Sequence, residues 1–322
     1  MNEGFWKEKR VLVTGADGFM GSHLTEELLK LGAEVSVYVR GTSDSGTSQL
    51  NLKNISHEQN RIKEIITGDI GSNDSVDLIK RNNPQVIMHL AADAYVNRSF
   101  DHPREVMQTN FIGTLNILTA AMDLKEAEKV VCTSSSEIYG TAQADKISED
   151  HPLNPTSPYA ASKVAADRYA YSYCSTYGLP VAIIRPFNTF GPRLIYDVIP
   201  KFVRLAIRNE PLTVYGTGGQ SRDFTYVSDM IKAFLLMGSE KKAIGQAVNF
   251  GTGKDTSIKE IAKKIIKLSK SSSKIVHVEK RIAEVGRLCC DYSKAKKMFG
   301  WAPQVPIEEG LKKTIEWARQ NT

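Results

Sequence analysis

Short hydrophobic runs alternate with amphipathic segments along the first half of the chain. Residues 11–14 form one such run, and the segment after it carries Leu24, Leu28 and Leu31 on one helical face before Gly32. Further runs predict strands at residues 35–39, 62–67, 86–90, 130–133 and 181–184, and a helical pattern fills residues 106–122. Repeated strand–helix units predict an α/β protein with a Rossmann-type, doubly wound parallel sheet that helices cover on both faces.

The pattern becomes less regular after residue 186, where glycine and proline separate shorter elements. Residues 248–250 predict a return strand to the main sheet, and residues 258–268 predict a surface helix with lysines opposite its apolar positions. We expect a dinucleotide-binding domain at residues 1–189, with the return strand at about 246–252, and a smaller α/β lobe at residues 190–245 and 253–322. The polar residues 41–60 predict a long loop.

The composition is that of an ordinary globular protein. Its 322 residues are 41% hydrophobic and 24% charged, which suffices for a large core. The net charge of +6 fits a lysine-rich surface, with attraction to phosphate-bearing ligands as the alternative. The sequence has no basic block interleaved with aromatic residues, which is the pattern typical of nucleic-acid binding. The four cysteines lack metal or disulfide spacing, and no apolar run suits a signal peptide or a membrane span. We expect a cytoplasmic protein without metal, nucleic-acid or membrane partners.

A glycine-rich turn joins the first predicted strand to the first predicted helix. Its glycines allow a tight turn and a close approach of the backbone to a pyrophosphate, while the helix N-terminus offers N–H groups and a partial positive charge. The alternative is a structural turn that binds nothing. Because strand, turn and helix occur in the required order, the sequence predicts a dinucleotide site formed by Gly15, Asp17, Gly18, Phe19, Met20 and Gly21.

The end of the second predicted strand bears on the choice of cofactor. NAD-binding folds of this type usually place an acidic residue there, which bonds the ribose hydroxyls. This chain has Val39 and Arg40 instead, so the sequence favours NADP over NAD, with Arg40 pairing with a 2′-phosphate. The alternative is that Arg40 is only solvated. After the third strand, Asp69 is placed either to reach the adenine amino group or to cap the next turn.

Tyr159 and Lys163 lie four residues apart in a helical pattern, so both project from one face. A tyrosine normally titrates near ~10, and a neighbouring ammonium group favours its ionised form. Ser135 follows the fifth strand, at the carboxyl edge of the sheet where ligands bind in such folds. Behind a dinucleotide turn, these three residues predict proton transfer coupled to oxidation of a hydroxyl.

Taken together, the motifs resemble those of the extended short-chain dehydrogenase/reductases, specifically the nucleotide-sugar epimerases, dehydratases and decarboxylases. The resemblance covers nearly the whole chain and rests on residues 14–21, 68–70, 89–92, 110–114, 133–140, 157–163, 185–188 and 222–224. It implies a tightly bound nicotinamide cofactor, oxidation of a sugar at C4, and a C-terminal lobe that grips the nucleotide of a nucleotide-diphosphate sugar. It also implies a homodimer formed through two helices, one of which carries Tyr159.

The resemblance also implies positions for the ligands. The further cofactor-binding residues implied are Ile70, Leu90, Ala91, Ala92, Asn110 and Pro186. Asn188, Arg222 and Arg287 resemble residues that contact the substrate pyrophosphate, whose oxygens guanidinium groups bond in pairs. Ile199, Val214 and Tyr215 resemble residues around the nucleotide base and ribose.

The segment Ser135-Ser136-Glu137 bears on which reaction follows the oxidation. It looks most like 4,6-dehydratases that act on UDP-N-acetylhexosamines or GDP-mannose, in which the glutamate removes the C5 proton. Many dTDP-glucose dehydratases have aspartate at the position of Ser136 to protonate the leaving hydroxyl, so Ser135, Ser136 or a water takes that role here, or the chemistry differs. The alternative role for Glu137 is that of a structural carboxylate, hydrogen-bonded to nearby main-chain groups. The alternatives are a 4-epimerase, a UDP-glucuronate decarboxylase, whose longer insertion before the tyrosine is missing here, and a non-catalytic cofactor-sensing protein.

Overall fold

The computed structural model describes residues 3–40 and 52–321. Within these residues the strands are β1 (Arg10–Thr14), β2 (Glu34–Val39), β3 (Glu64–Thr67), β4 (Val86–His89), β5 (Lys129–Thr133), β6 (Val181–Pro186), β7 (Thr189–Phe190), β8 (Leu212–Tyr215), β9 (Ser221–Asp223), β10 (Thr225–Tyr226), β11 (Ala247–Phe250), β12 (Asp255–Ser257) and β13 (Ile275–Val278).

The α-helices described are α1 (Phe19–Lys30), α2 (Asp74–Asn82), α3 (Arg98–Asp101), α4 (Pro103–Met107), α5 (Gly113–Met122), α6 (Pro158–Tyr177), α7 (Val198–Ile207), α8 (Val227–Ser239), α9 (Ile258–Ser269), α10 (Ser293–Phe299) and α11 (Ile307–Gln320). A π-helical turn at Gln108–Ile112 joins α4 to α5. None of these helices is both long enough and apolar enough to cross a membrane.

Seven strands form the main sheet in the order β11-β6-β5-β4-β1-β2-β3. Parallel pairing places Val11 beside Val35 of β2 on one side and beside Val86 of β4 on the other. The strand order therefore reverses at β1, and ligands bind in folds of this type beyond the carboxyl ends of the strands at such a point. The predicted Rossmann-type, doubly wound α/β fold is confirmed.

The predicted elements occur with shifted bounds. The third strand begins at Glu64 rather than at residue 62, and the return strand begins at Ala247. The helical pattern predicted for residues 106–122 extends from Pro103 and is interrupted by the π-helical turn, which hydrophobic periodicity does not report. Residues 41–51 of the predicted polar loop lie outside the described residues, and Ser56–Arg61 forms a short 3-10 helix.

The chain divides into two compact units, each assembled from three segments. The first unit contains residues 1–134, 158–184 and 231–247, and the second contains residues 135–157, 185–230 and 248–322. Residues 135–157 thus belong to the second unit, although they lie within the predicted first domain. Residues 231–247 belong to the first unit, although most of them lie within the predicted second lobe. The assignment of cofactor and substrate binding to separate domains stays a prediction.

The first unit is built on the apolar faces of the sheet. Leu12, Ile87 and Val130 from neighbouring strands are fully buried with Ile117 and Leu118 of α5. Burying a side chain of this kind contributes about 1.5–3 kcal/mol. This core fixes the strands, and their carboxyl ends in turn set the positions of the loops that carry the predicted ligand-binding residues.

The second unit combines small strand pairs with helices. β8 pairs with β13 in parallel, β9 pairs with β12 in antiparallel, and β7 pairs with β10 in parallel. Ser257 and Glu260 form a reciprocal capping box that starts α9. Phe190 packs edge-on against Phe224, and a Cβ at Gly310 would lie 2.6 Å from its ring, so α11 approaches this aromatic cluster through a glycine.

Candidate active site

The glycine turn after β1 leaves no room for a side chain at Gly15 or Gly21. Gly15 has φ +69°, and a Cβ there would lie 2.8 Å from the main-chain nitrogen of Ala91. A Cβ at Gly21 would overlap the carbonyl oxygen of Gly15. Gly18, the N-cap of α1, has no side chain, and the first turn of the helix carries no acidic residue. The N-terminus of α1 thus presents main-chain N–H groups that suit an anion, and the turn fits a dinucleotide pyrophosphate.

The Asp17 carboxylate has three main-chain hydrogen-bond partners in a segment far along the chain. Its carboxylate accepts hydrogen bonds from the main-chain nitrogens of Asn54 (2.7 Å), Lys53 (3.0 Å) and Ile55 (3.3 Å). Its side chain therefore anchors the segment at residues 53–55 against the glycine turn. Phe19 and Met20, also predicted to contact the cofactor, form the first residues of α1.

The residues that bear on the cofactor's ribose and adenine lie at the ends of β2 and β3. Arg40 directly follows β2, is exposed, and donates from Nη2 to the hydroxyl of Thr109 at 3.1 Å. Asp69 follows β3, and its Oδ1 accepts the N–H of Gly71 at 2.9 Å. Two roles were predicted for Asp69, and this hydrogen bond is the one that a turn cap makes. Ile70, next to it, is buried in the core of the first unit.

Tyr159 and Lys163 lie one turn apart near the start of α6 and are both buried. The ammonium group of Lys163 donates to the main-chain oxygen of Thr133 at the end of β5, at 2.9 Å. Burial lowers the pKa of Lys163 to about 8, against the opposing effects of Cys132 and Asp167. The helix therefore presents a tyrosine and a lysine that loses its charge close to the neutral range.

Asn110 lies in the π-helical turn and is fully buried. Its amide nitrogen donates to the Oγ of Ser162 and to the main-chain oxygen of Asp93, both at 3.1 Å, and its Oδ1 accepts the N–H of Asp93 at 2.7 Å. The wider turn thus connects the loop after β4 to α6. Short π-helical turns are frequent at functional sites.

The sequence analysis missed His89 and Thr114 as individual site residues. His89 ends β4, and its ring nitrogens lie 2.8 Å from the hydroxyl of Thr14 and 3.0 Å from that of Thr114. Ala91, two residues further on, donates its N–H to the Thr14 hydroxyl at 3.1 Å. A histidine that ends an otherwise apolar strand was the available signal. Leu90, Ala91 and Ala92, predicted as cofactor neighbours, follow it directly.

Ser135, Ser136 and Glu137 form the start of a 3-10 turn in the second unit. The hydroxyl of Ser135 caps this turn by accepting the N–H of Glu137 at 3.2 Å, and Ser136 is buried. The Glu137 carboxylate lies 3.9 Å from Nε of Arg222. Among the described residues, no main-chain group donates a hydrogen bond to this carboxylate, which weighs against the purely structural role.

The surroundings of Glu137 hold the pKa of its carboxyl group above the usual range. Burial raises its pKa, Arg222 opposes that rise, and the negative charge of Asp197 adds to it. Arg222 is itself held by hydrogen bonds from Nη1 to the carbonyls of Val285 (2.8 Å) and Ser221 (2.9 Å). A carboxylate with a raised pKa next to a fixed cation is suited to accept and release a proton.

Asp197 is a third residue that the sequence analysis missed. It caps α7 by accepting the N–H of Val198 at 2.7 Å, and it has φ 86° and ψ 176°, a conformation typical of glycine. Aspartate before an amphipathic helix signals an N-cap, but the strained backbone is not readable from sequence.

Arg287 and Asn188 differ in whether their side-chain polar atoms have hydrogen-bond partners among the described residues. Arg287 forms a two-pronged pair with Asp255, from Nε and Nη2 at 3.0 Å each, and its Nη1 donates to the main-chain oxygen of Asp145 at 2.6 Å. All three of its guanidinium nitrogens thus have protein partners. The Oδ1 of Asn188 is buried and, among the described residues, has no hydrogen-bond partner.

Of the residues predicted around the nucleotide base, two are buried and Tyr215 is half-buried. Ile199 and Val214 are fully buried, so their side chains belong to the core of the second unit. Tyr215 ends β8, with the guanidinium carbon of Arg281 4.1 Å and the ammonium group of Lys201 5.3 Å from its ring centroid. Pro186 ends β6. Within the described part of the chain, no cluster of three or more His, Cys, Asp or Glu side chains is arranged to hold a metal.

Comparisons with known proteins place these features in a family. A family model described as GDP-mannose 4,6 dehydratase matches residues 12–314. The chain is 36% identical to a dTDP-D-glucose 4,6-dehydratase of Bos taurus, over 97% of this chain and 89% of the relative. It is 37% identical to a UDP-N-acetyl-alpha-D-glucosaminuronate decarboxylase of Bacillus cytotoxicus, over 97% of this chain and 98% of the relative. It is 35% identical to a UDP-glucose 4-epimerase of Mycolicibacterium smegmatis, over 97% of this chain and 99% of the relative.

Solved structures agree with these relatives. Pal from Bacillus thuringiensis superposes with a TM-score of 0.89 at 35% identity, covering 97% of this chain and 99% of that one. DesIV, a dTDP-glucose 4,6-dehydratase from Streptomyces venezuelae with NAD bound, gives 0.87 at 30% identity and 97% coverage of both chains. A UDP-glucuronic acid 4-epimerase from Bacillus cereus, in complex with UDP-glucuronic acid and NAD, gives 0.87 at 30% identity, with 97% and 99% covered.

The fold, the glycine turn and the relatives together define an enzyme that uses a nicotinamide dinucleotide and acts on nucleotide sugars. The chain belongs to the nucleotide-sugar dehydratase and epimerase family of the extended short-chain dehydrogenase/reductases. The resemblance stated from the sequence is confirmed, and the alternative of a non-catalytic protein is set aside. The relatives divide among dehydratases, decarboxylases and epimerases.

Proposed function

We propose that the protein is a nucleotide-diphosphate-sugar 4,6-dehydratase. The observation that carries the proposal is Glu137, a half-buried carboxylate (17% exposed) with a raised pKa that lies 3.9 Å from a fixed arginine and accepts no main-chain hydrogen bond among the described residues. A dehydratase needs a base for the C5 proton, whereas a 4-epimerase does not. The proposal favours UDP-N-acetylhexosamines or GDP-mannose as substrates, on the sequence around Glu137.

In the proposed reaction, Tyr159 in its ionised form takes the proton of the C4 hydroxyl, and the Lys163 ammonium stabilises the phenolate. A bound nicotinamide supplies the hydride acceptor for C4 and later the hydride donor for C6. Glu137 removes the C5 proton, which the C4 ketone has made acidic, and the C6 hydroxyl leaves as water. Glu137 then returns a proton to C5 when the hydride reaches C6. Ser135, Ser136 or a water donates the proton to that leaving hydroxyl. Asn188 and Arg222 bind the substrate pyrophosphate in this proposal, and the fixed Arg287 contributes its positive charge.

Incubation with candidate sugar nucleotides in deuterated water, followed by mass spectrometry, tests the proposal. The set is UDP-N-acetylglucosamine, UDP-glucose, UDP-glucuronate, dTDP-glucose and GDP-mannose. A dehydratase yields a product that has lost one water and gained deuterium at C5. An unchanged mass with a new C4 isomer establishes an epimerase, and loss of carbon dioxide from UDP-glucuronate establishes a decarboxylase, and either result overturns the proposal.

Two further assignments accompany this function. We propose that NADP is preferred over NAD because β2 ends at Val39 and is followed by the exposed Arg40 rather than by a carboxylate. The structures of DesIV and of the Bacillus cereus epimerase contain NAD, so titration of this protein with both cofactors is the test. Preference for NAD, unchanged in Arg40→Ala, would refute it. A cytoplasmic location, supported by four free cysteines, is part of the same proposal.

We also propose a homodimer formed through α6. Tyr169 and Tyr171 are exposed on this helix, and Phe100 and Met107 are exposed on α3 and α4 of the same unit. Large exposed apolar side chains on neighbouring helices suit burial against a second copy. Light scattering after gel filtration is the measurement. A monomer at micromolar concentration would contradict this assignment.

A further inference from the structure

A continuous set of hydrogen bonds runs through the buried interior of the first unit. It begins at Thr14, the last residue before the glycine turn, whose hydroxyl lies 2.8 Å from Nδ1 of His89. On the other side of the ring, Nε2 lies 3.0 Å from the hydroxyl of Thr114. That hydroxyl lies 2.7 Å from the main-chain oxygen of Asn110. All four residues are at most 3% exposed, so water does not compete for these bonds.

The direction of each bond follows from the number of protons available. The carbonyl of Asn110 only accepts, so the single hydroxyl proton of Thr114 is used there, and Thr114 accepts from His89 Nε2–H. A neutral imidazole has one N–H, and therefore Nδ1 accepts the hydroxyl proton of Thr14. Thr14 in turn accepts the N–H of Ala91 at 3.1 Å. One tautomer of His89 satisfies every partner.

The charge state of His89 is fixed as well. Complete burial, with the positive charge of Lys163 as a second cause, lowers the pKa of His89 to about 3. A protonated ring would present a second N–H to Thr14 and reverse that bond. The neutral form that the hydrogen bonds require is thus the only form present at neutral pH.

The far end of the network is attached to α6. The amide group of Asn110 donates to the Oγ of Ser162 at 3.1 Å, and Ser162 donates to the main-chain oxygen of Tyr159 at 2.7 Å. Ser162 lies between Tyr159 and Lys163 in the same turns of the helix. The interior bonds therefore connect the residue before Gly15 with the part of α6 that carries the predicted tyrosine and lysine.

We propose that His89 is a positioning residue that holds the glycine turn and the Tyr159–Lys163 segment of α6 at a fixed spacing through Thr14, Thr114 and Asn110. The inference rests on the roles given to the turn and to Tyr159 in the proposed function, whichever reaction follows C4 oxidation. His89 contacts no reacting atom. It acts through geometry, and a misplacement of about 1 Å in such a system costs about a hundredfold in rate.

Threonine-to-valine substitutions test the proposal with little change in side-chain volume. Thr114→Val removes the hydroxyl that joins His89 to Asn110, and Thr114→Ser restores it. Thr25→Val is the matched control because its hydroxyl, also fully buried in the first unit, has no hydrogen-bond partner among the described residues. For each variant, the thermal midpoint, the dissociation constant of the reduced cofactor and the rate of cofactor reduction by a sugar nucleotide are measured.

We expect Thr114→Val to fold, to reduce cofactor about tenfold to a hundredfold more slowly, and to bind it more weakly. For Thr114→Ser and Thr25→Val, the rate of cofactor reduction and the cofactor dissociation constant should stay within about twofold of the wild-type values. Wild-type rate and affinity in folded Thr114→Val would overturn the proposal. So would an equal loss in Thr25→Val. If Thr114→Val does not fold, His89→Gln is measured instead. Slower cofactor reduction with weaker binding would then support the proposal, and wild-type rate and affinity would overturn it.

Failure of this inference is distinguishable from failure of the proposed function. Cofactor reduction reports only C4 oxidation, so it remains measurable if the product is an epimer or a decarboxylated sugar. If no sugar nucleotide reduces the cofactor, the cofactor dissociation constants of the same variants decide the question. Equal constants in the wild type and Thr114→Val would then overturn the inference.

Discussion

The ammonium group of Lys163 donates a 2.9 Å hydrogen bond to the main-chain oxygen of Thr133. This bond fixes the cation of α6 against the carboxyl end of β5. Because Tyr159 lies one turn earlier on the same face, the position of the charge next to the phenol is set by the sheet and not by a mobile side chain. The pKa of Lys163, lowered by burial to about 8, places the loss of that charge within an accessible pH range.

Lys163→Met should slow cofactor reduction at pH 7 by about a hundredfold or more, because the ionised form of Tyr159 loses its neighbouring cation. Part of the rate should return as the pH rises and the phenol ionises without help. The measurement is the rate of cofactor reduction from pH 6 to pH 10. Lys232→Met, an exposed lysine on α8, is the control. An unchanged pH profile in Lys163→Met would contradict the role of the lysine.

Glu137→Gln should separate the first step of the reaction from the second. The amide cannot take the C5 proton, so water elimination should fall by about a hundredfold to ten-thousandfold while cofactor reduction continues. Single-turnover absorbance of the reduced cofactor, together with deuterium uptake at C5, measures the two steps. Normal elimination by this variant would remove Glu137 from the mechanism.

Asp197→Asn should move the pH dependence of the elimination step toward lower pH. The negative charge of Asp197 raises the pKa of Glu137, so its removal lets the base ionise in more acidic solution. The pH at half-maximal elimination is the quantity to compare between variants. Asp150→Asn, an exposed change in the same unit, should leave that pH in place. A shift toward higher pH in Asp197→Asn would show that the charge acts differently.

His89 also makes the protein less stable in acid. An unfolded histidine binds a proton below about pH 6.5, whereas folded His89 stays neutral to about pH 3. The unfolded state therefore binds more protons in this window, and the free energy of unfolding falls as the pH falls. Between pH 8 and pH 5 this one group should remove about 2 kcal/mol.

Urea unfolding of the wild type and of His89→Gln at both pH values measures this term. The variant should lose about 2 kcal/mol less on acidification, since glutamine does not titrate. Thr25→Val, which removes no titrating group, should keep the wild-type dependence. Parallel curves for the wild type and His89→Gln would show that the ring is protonated in the folded protein.

Gly21→Ala should abolish cofactor binding, although alanine normally stabilises a helix by about 1 kcal/mol relative to glycine. A Cβ at this position overlaps the carbonyl oxygen of Gly15, so the turn must open. Gly219→Ala is the control, since its nearest neighbour would be the Thr217 hydroxyl at 3.3 Å. Retained affinity in Gly21→Ala, measured by titration with reduced cofactor, would mean that the turn tolerates the displacement.

The placements that sequence could predict are those that depend on spacing along one element. The glycine turn and the Tyr159–Lys163 pair are local patterns, and the structure places them where a strand–turn–helix unit and a helical face require. The positions that sequence could not supply depend on distant segments. The Arg287–Asp255 pair, the hydrogen bonds from Asp17 to residues 53–55 and the His89–Thr114 bond all join residues far apart in the chain.

Two other features escaped because they are backbone states. The π-helical turn at Gln108–Ile112 widens one turn of the helix, which hydrophobic periodicity does not report. Asp197 adopts a glycine-like conformation that no local rule assigns to aspartate. Asn110 of the π-helical turn bonds Asp93 and Ser162, and a single sequence does not reveal such long-range contacts.

The division of each unit into three chain segments has a consequence for synthesis on the ribosome. The first unit is complete only when residues 231–247 have emerged, and the second needs residues 248–322. Domains made of one continuous segment fold during translation, N-terminal part first. Here, roughly three-quarters of the polypeptide must be made before the first unit has all its segments. A nascent chain arrested before residue 231 should remain protease-sensitive, and exposed to chaperones, in the region that binds the dinucleotide.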